Sequence, residues 1–293
     1  AQDLAWQRLE SKQVGTDASL TSCNALKRAP MLAVNLGTGT PEEARNWVEY
    51  CNSPTGTRFA DMRAANGREA PYQVPYWCLG NEMDGPWQIG HLPAEQYAIR
   101  AQQAAKMMRD TDSLIETVAC GSSFPGMASY ITWDQAVLEY VTNSADYISL
   151  HRYVGNRADD TLNFLAVTNS IDHQIETIDA VCRTVAAKHK LAQRHYLCFD
   201  EWNVWYKARS PADTNGRGQH APHLIEEVYN LEDALVVAGF LMSFIRHADI
   251  VKIANIAQMV NVIAPVLTTK NALLKQSIFY AFRMVSERKG GLS

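Results

Sequence analysis

Short apolar runs alternate with amphipathic stretches along most of the chain. We predict buried strands in six of these runs, at residues 31–36, 74–79, 116–120, 146–151, 196–199 and 250–256. Apolar residues at helical spacing predict helices between them, at residues 41–51, 93–108, 133–141, 171–188 and 231–246. The first helix carries a start signal, since Thr40 precedes Pro41 and has Glu43 three positions later.

Strands that alternate with helices predict an α/β fold with a parallel sheet and right-handed crossovers. The predicted strands are apolar at successive positions, as is typical of parallel strands buried on both faces. An open doubly wound sheet and a closed barrel both fit this pattern. No G-x-G-x-x-G or Walker loop follows any run, which disfavours a nucleotide-binding doubly wound sheet. We therefore predict a (β/α)8 TIM barrel of which about six β/α units are present, with residues 1–293 forming one domain.

Composition narrows the class of protein. The chain is 47% hydrophobic and 20% charged, which indicates a globular protein with a large core. A net charge of −4 disfavours nucleic acid and anionic membrane as partners. No apolar run approaches the ~18 residues that a membrane helix needs, and the start of the sequence does not resemble a signal peptide. The six cysteines lack C-x-x-C and zinc-ligand spacing, so we expect reduced, buried thiols and a cytoplasmic location.

Polar side chains cluster where the predicted strands end. In a barrel the carboxyl ends of the strands share one face, where barrel enzymes hold their reactive groups. The residues in these positions are Asn81, Glu82, Ser122, Ser123, His151, Arg152, Tyr153, Asp200, Glu201, Gln258 and Asn261.

Glu82 closes one apolar run and has aromatic neighbours in the sequence. It follows Asn81, which offers a hydrogen-bond donor, and precedes Trp87. Water-poor aromatic surroundings raise the pKa of a carboxyl group, as a general acid at neutral pH requires. The alternative is a helix cap, for which Asp84 beside a Gly-Pro turn is the better candidate.

Glu201 closes a second apolar run in the same way, between aromatic residues. Because side chains alternate along a strand, Asp200 and Glu201 should point to opposite faces if the strand continues through them, and we select Glu201 as the functional residue. The alternative for Glu201 is a structural ion pair. Two carboxylates on either side of a glycosidic bond carry out glycoside hydrolysis, so the pair with Glu82 favours that chemistry.

Several segments together resemble glycoside hydrolase family 51. They are residues 35–44, 47–52, 80–91, 146–151, 199–206 and 256–265. The resemblance extends over most of the chain and implies an α-L-arabinofuranosidase, whose family combines a (β/α)8 barrel with a β-sandwich. The family's first barrel strands and its β-sandwich have no counterpart in this sequence. We therefore expect residues 1–293 to be a catalytic barrel domain that is incomplete at both ends relative to the family.

The resemblance also implies roles for individual residues. Glu82 would be the general acid/base and Glu201 the nucleophile, with carboxyl groups ~5 Å apart as retention of configuration requires. The reaction would release terminal arabinofuranosyl residues from arabinan- or arabinoxylan-type oligosaccharides. No cofactor or metal is implied, and family members are commonly hexameric, so a homo-oligomer is expected. The implied substrate-binding residues are Asn81 at the sugar 2-hydroxyl, Trp87 at the pocket wall, His151, Tyr153 beside the nucleophile, and Gln258 from the last strand.

Two other functions fit the same residues. One is another retaining barrel glycosidase, of the endo-glucanase or xylanase type, which would need an open cleft rather than a pocket. The other is an incomplete barrel that binds sugar without turnover, a hypothesis suggested by the missing strands. The polar segment 207–221 after Glu201 is either a lid or a surface loop.

Overall fold

A computed structural model describes residues 2–5, 7–208, 220 and 225–288. Strands and helices alternate over most of this length, as predicted. The strands are β1 (Met31–Ala33), β2 (Tyr76–Cys78), β3 (Glu116–Ala119), β4 (Tyr147–Val154), β5 (Tyr196–Val204), β6 (Val251–Ile256), β7 (Val266–Thr268) and β8 (Leu273–Lys275). The helices are α1 (Thr16–Ala25), α2 (Pro41–Asn52), α3 (Arg58–Ala65), α4 (Ala94–Thr111), α5 (Thr132–Val141), α6 (Thr161–Leu165), α7 (Thr168–His189), α8 (Leu231–Arg246) and α9 (Ser277–Ser286).

The predicted strands and helices are all present, most of them with shifted ends. The strand predicted at 196–199 continues to Val204, so Glu201 lies inside β5 rather than at its end. The start signal of α2 is confirmed, because the Thr40 hydroxyl accepts from the Glu43 amide at 3.1 Å and the Thr40 amide donates to the Glu43 carboxylate at 2.8 Å. Most of the segment 207–221 lies outside the described residues.

Strand order confirms the α/β fold class and the barrel type of winding. The sheet runs β1-β2-β3-β4-β5-β6, so each strand neighbours the next one in the chain. A doubly wound sheet reverses its order at a switch point, and the order here contains no reversal. The registered pairs β1–β2, β2–β3, β3–β4 and β5–β6 are all parallel. The fold is therefore that of a (β/α)8 barrel of which six strands are described.

The chain divides into two compact units. Unit I comprises Lys12–Ser149 and Ala180–Tyr196, and unit II comprises Ala1–Ser11, Leu150–Asp179 and Leu197–Ser293. In unit I the alanine-rich face of α4 is buried together with Trp77. In unit II the ring of Trp202 packs against Phe240, Phe244 and Phe282. None of the described helices has the length and apolar composition needed to span a membrane.

Candidate active-site residues

Glu82 lies in the loop that follows β2, in unit I. Its backbone has a φ of 46°, in the left-handed region that non-glycine residues rarely adopt. Such strain persists only where the surroundings hold it, and it is concentrated at functional sites. The indole N–H of Trp87 donates to Oε2 of Glu82 at 2.5 Å. The indole also stacks on Phe124, with ring centroids 6.3 Å apart. Trp87 therefore fixes the orientation of the carboxylate.

Asp84 ties the loop of Glu82 to the segment after β3. Its carboxylate accepts from the Ser123 amide at 3.0 Å and also from the Ser123 hydroxyl. Burial raises the pKa of Asp84, and the charge of Glu82 raises it further. Asp84 caps no helix, because α4 begins after Pro93. The sequence-based preference for a cap at Asp84 was therefore wrong.

A second buried aspartate supports the segment after β3. Asp134 is fully buried and accepts from the Ser122 amide at 2.9 Å and the Ser122 hydroxyl at 2.6 Å. It also accepts from the Ile131 amide at 3.1 Å, and burial raises its pKa. Buried polar networks satisfied in this way rigidify the backbone that they contact. Ser123, which donates to Asp84, is thus next to a backbone segment that Asp134 holds rigid.

Strand β5 in unit II contains a bulge at the selected glutamate. Phe199 pairs with Ala254 and Trp202 with Ile256, so three steps on β5 match two on β6. A bulge interrupts the alternation of side chains and re-aims them. Asp200 and Glu201 consequently both approach the ring of His151, at 3.1 Å from Nε2 and 3.7 Å from Nδ1. The expectation that they point to opposite faces applied to a strand that continues regularly through both residues, and the bulge removes that condition.

Tyr153 contacts the same glutamate from β4. Its hydroxyl donates to Oε2 of Glu201 at 3.0 Å, and its ring meets Trp205 edge-on with centroids 5.3 Å apart. The His151 side chain is 3% exposed, whereas that of Glu201 is 30% exposed. Glu201 is therefore reachable by a ligand, while its imidazole neighbour is buried.

Gln258 follows β6 and is exposed. The preceding segment is fixed by Asn203 of β5, whose amide donates to the carbonyls of Ala257 and Ile263, each at 2.6 Å. Asn203 is fully buried, so these contacts occupy its donor group in the interior. The backbone just before Gln258 is thus fixed by hydrogen bonds, although the side chain of Gln258 itself is exposed.

The structure brings together four of the polar residues in unit II, which are His151, Tyr153, Asp200 and Glu201. In unit I it joins Glu82 with Trp87, and Asn81 is exposed in the same loop. Glu82 and Glu201 belong to different units, so the separation of their carboxyl groups stays a prediction.

Sequence reasoning set Asp200 aside in favour of Glu201 and did not consider Trp205, although both lie near the candidate residues. The signal for both was present, because each lies within a few residues of Glu201 in an aromatic-rich motif. The alternation of side chains along a regular strand favoured Glu201 over Asp200. The bulge interrupts that alternation, so both residues approach His151.

Comparison with known proteins decides the family. Residues 1–174 match the family described as α-L-arabinofuranosidase 1 domain, and residues 200–293 match the α-L-arabinofuranosidase C-terminal domain. The chain belongs to the α-L-arabinofuranosidases of glycoside hydrolase family 51. The match of 174 residues covers more than half of the chain, which confirms the resemblance inferred from the motifs.

Two curated relatives in the family are similar over nearly the whole chain. An intracellular exo-α-(1→5)-L-arabinofuranosidase 1 of Bacillus subtilis is 46% identical over 97% of the chain and 57% of its own length. An intracellular exo-α-(1→5)-L-arabinofuranosidase of Acetivibrio thermocellus is 43% identical over 99% of the chain and 59% of its own length. The chain thus spans less than two thirds of the length of these relatives.

Solved structures of the family have the same fold. A family 51 α-L-arabinofuranosidase from Bifidobacterium longum superposes with a TM-score of 0.93 at 34% identity, over 97% of this chain and 58% of that one. An α-L-arabinofuranosidase from Thermotoga maritima, solved as an arabinose complex, gives a TM-score of 0.86 at 32% identity, over 99% of this chain and 56% of that one.

Proposed function

We propose that the chain acts as a retaining exo-α-L-arabinofuranosidase that releases terminal arabinofuranosyl residues from arabinan- or arabinoxylan-type oligosaccharides. The observation that carries the proposal is the setting of Glu201, an accessible carboxylate that accepts from the Tyr153 hydroxyl and lies beside the buried His151. Membership of the family supports the reaction class. The names of the relatives support exo action and an arabinofuranosyl substrate.

In the first step Glu201 attacks the anomeric carbon while Glu82 gives its proton to the glycosidic oxygen. The bond between these two substrate atoms breaks and the alcohol leaves. The arabinosyl group is then joined to Glu201 as an ester. In the second step Glu82, now ionised, takes a proton from water. The water oxygen attacks the anomeric carbon, the ester bond breaks, and arabinose leaves with its original configuration.

Neighbouring residues support this division of roles. The hydroxyl of Tyr153 stabilises the ionised form of Glu201 and fixes the oxygen that it contacts. Trp87 does the same for the carboxylate that remains on Glu82 after proton transfer. Asn81 and Gln258 are exposed at the loops after β2 and β6 and would bind sugar hydroxyls. Trp87 would also form part of the pocket wall, and His151 would contact substrate or the nucleophile.

The proposal extends to the setting of the protein. Three relatives are named as intracellular enzymes, which supports an intracellular location for this one. Residues 1–293 would form a catalytic barrel domain, and assembly as a homo-oligomer, commonly a hexamer in this family, is part of the same proposal.

The test is hydrolysis of 4-nitrophenyl α-L-arabinofuranoside by the 293-residue chain. We expect turnover that Glu201→Ala abolishes and that Glu69→Ala, an exposed carboxylate outside the site, leaves unchanged. The matching β-glucoside and β-xyloside should be poor substrates, and preferred cleavage of either would favour the other barrel glycosidases. A folded chain without any turnover would contradict the proposal and favour sugar binding without catalysis.

A further inference from the structure

A cavity of about 590 Å³ lies between α1, α2 and α3 in unit I, apart from the residues assigned to catalysis. Its volume falls within the range of roughly 300–1,000 Å³ typical of small-molecule sites. Its lining combines aromatic rings with polar side chains. The aromatic members are Trp47, Tyr50 and Phe59, and the polar members used below are Asp17, Asn46 and Asn66.

The aromatic rings are half-buried, so they are anchored and still accessible. Trp47 donates its indole N–H to the Thr16 hydroxyl at 3.2 Å and meets Trp77 edge-on, with centroids 5.6 Å apart. These contacts fix the indole before any ligand arrives. A ring held in this way contributes contact area with little loss of conformational entropy.

The charge of Asp17 is already engaged inside the cavity. Its two carboxylate oxygens accept from the hydroxyls of Tyr50 and Tyr72, each at 2.6 Å. Burial, together with the bond to Asp17, raises the pKa of Tyr72 to about 12, so this phenol keeps its proton at neutral pH. These bonds hold the carboxylate in place and leave its charge unchanged, and Glu43, which also lines the cavity, adds a second carboxylate that accepts from the Thr40 amide at 2.8 Å.

An anionic ligand is disfavoured, because two carboxylates and no lysine, arginine or histidine are among the residues that line the cavity. The lining thus joins a rigid aromatic surface to two amides and two carboxylates, groups that hydrogen-bond to hydroxyls. The carbonyl oxygen of Asn46 accepts from Arg45 at 2.8 Å, and the NH2 group of Asn66 donates to the Tyr50 hydroxyl at 3.0 Å. The NH2 group of Asn46 and the carbonyl oxygen of Asn66 are therefore the donor and the acceptor offered to sugar hydroxyls.

We propose that this cavity is a second, non-catalytic binding site for neutral carbohydrate. The apolar C–H face of a sugar ring packs on Trp47 and Phe59, and its hydroxyls bond to Asn46 and Asn66. An arabinofuranosyl chain as the natural ligand rests on the proposed function, whereas the site itself does not. A site of this kind holds a polymeric substrate on the protein between cleavage events and raises its local concentration.

The test follows the indole ¹H–¹⁵N signals of the Glu201→Gln chain during titration with linear α-(1→5)-arabinopentaose. Trp47 reports on the cavity and Trp87 on the catalytic residues, and Trp47→Phe and Trp87→Phe assign the two signals. We expect the Trp47 signal to shift in a saturable way. The proposal is overturned if the Trp47 signal does not shift at tens of millimolar sugar. It is also overturned if that signal shifts with choline chloride and not with sugar. If the proposed function fails instead, Trp87 stays unshifted and 4-nitrophenyl arabinofuranoside is not hydrolysed, whatever Trp47 shows.

A second variant guards against an effect of folding. Asn46→Ala lies on α2, where alanine has the higher helix propensity, so the fold should be retained. The loss of its hydrogen bonds should weaken binding at Trp47 by roughly 3–10-fold. Turnover of the small aryl substrate should stay unchanged, as it should in the control Tyr280→Ala, an exposed aromatic on α9. Unchanged affinity in Asn46→Ala would contradict recognition of sugar hydroxyls.

Discussion

Glu82 and Glu201 are held by their units in different ways. Glu82 lies in a loop with left-handed backbone, against an indole ring that donates one hydrogen bond. Glu201 lies inside a bulged strand, where a tyrosine hydroxyl and an imidazole approach it. Apolar surroundings favour the protonated form of a carboxyl group, and donors favour the ionised form. The contrast teaches that two glutamates can be held by unlike backbones and unlike donors, so the roles proposed for them have to be tested separately at each position.

The largest effect should come from Glu201→Ala. Without the nucleophile no ester forms, so kcat/KM should fall by about 10⁴-fold or more for every leaving group. Added azide should then attack in place of Glu201 and give a glycosyl azide of inverted configuration, identified by NMR. An azide product of retained configuration would reverse the assignment of the two glutamates.

Glu82→Ala should behave differently. Protonation of the leaving group matters least when that group is a good one, so the loss should reach about 10²–10⁴-fold for oligosaccharides and much less for 2,4-dinitrophenyl arabinofuranoside. Azide should restore turnover with retained configuration. Equal losses on both substrates would remove the distinction between the two carboxylates.

Asp200→Asn tests the neighbour that the bulge brings to His151. The substitution removes a carboxylate charge 3.1 Å from Nε2 of His151, and loss of this contact should lower kcat/KM by roughly 10–100-fold. Asp200 contacts His151, so a positioning role should lower kcat and leave KM little changed. Asp249→Asn, at an exposed site, is the matched control. An unaltered kcat would leave Asp200 with a structural role alone.

Trp87→Phe keeps an aromatic ring beside Glu82 and removes the indole donor. The ionised form of Glu82 loses a stabilising hydrogen bond, so the alkaline limb of kcat/KM should move to higher pH. The rate at the optimum should fall by roughly 3–10-fold. Trp47→Phe makes the same chemical change outside the proposed catalytic site and should leave both quantities unaltered.

The smallest effect concerns stability. Burial raises the native-state pKa of Asp84, so the folded chain binds more protons than the unfolded chain in the pH range between the two pKa values. Stability therefore falls as pH rises through this range, and Asp84→Asn removes that contribution. The melting temperature of Asp84→Asn minus that of the parent should become more positive from acidic to neutral pH. A constant difference would contradict the raised pKa.

Helix α8 and strand β5 show which features of the structure can be predicted from the sequence and which cannot. The bounds of α8 are those predicted, because Asn230 caps it and an apolar pattern fills it. Helix α1 was missed, since it is rich in Ser, Thr and Asn and buries Leu20 as its main apolar contact. The motif around Glu201 identified the right segment, yet the approach of Asp200 to His151 depends on a bulge between β5 and β6. Such a bulge is set by pairing between distant segments, which a local pattern does not encode.

The left-handed backbone at Glu82 has a consequence for how this protein can change. Glycine adopts that conformation without strain, whereas other residues lose roughly 1–2 kcal/mol there. Glu82→Gly would thus relieve the backbone strain of the loop, but it would also remove the proposed proton donor. Selection for thermal stability alone would favour glycine at position 82. Retention of glutamate there would then show that selection for turnover outweighs selection for stability.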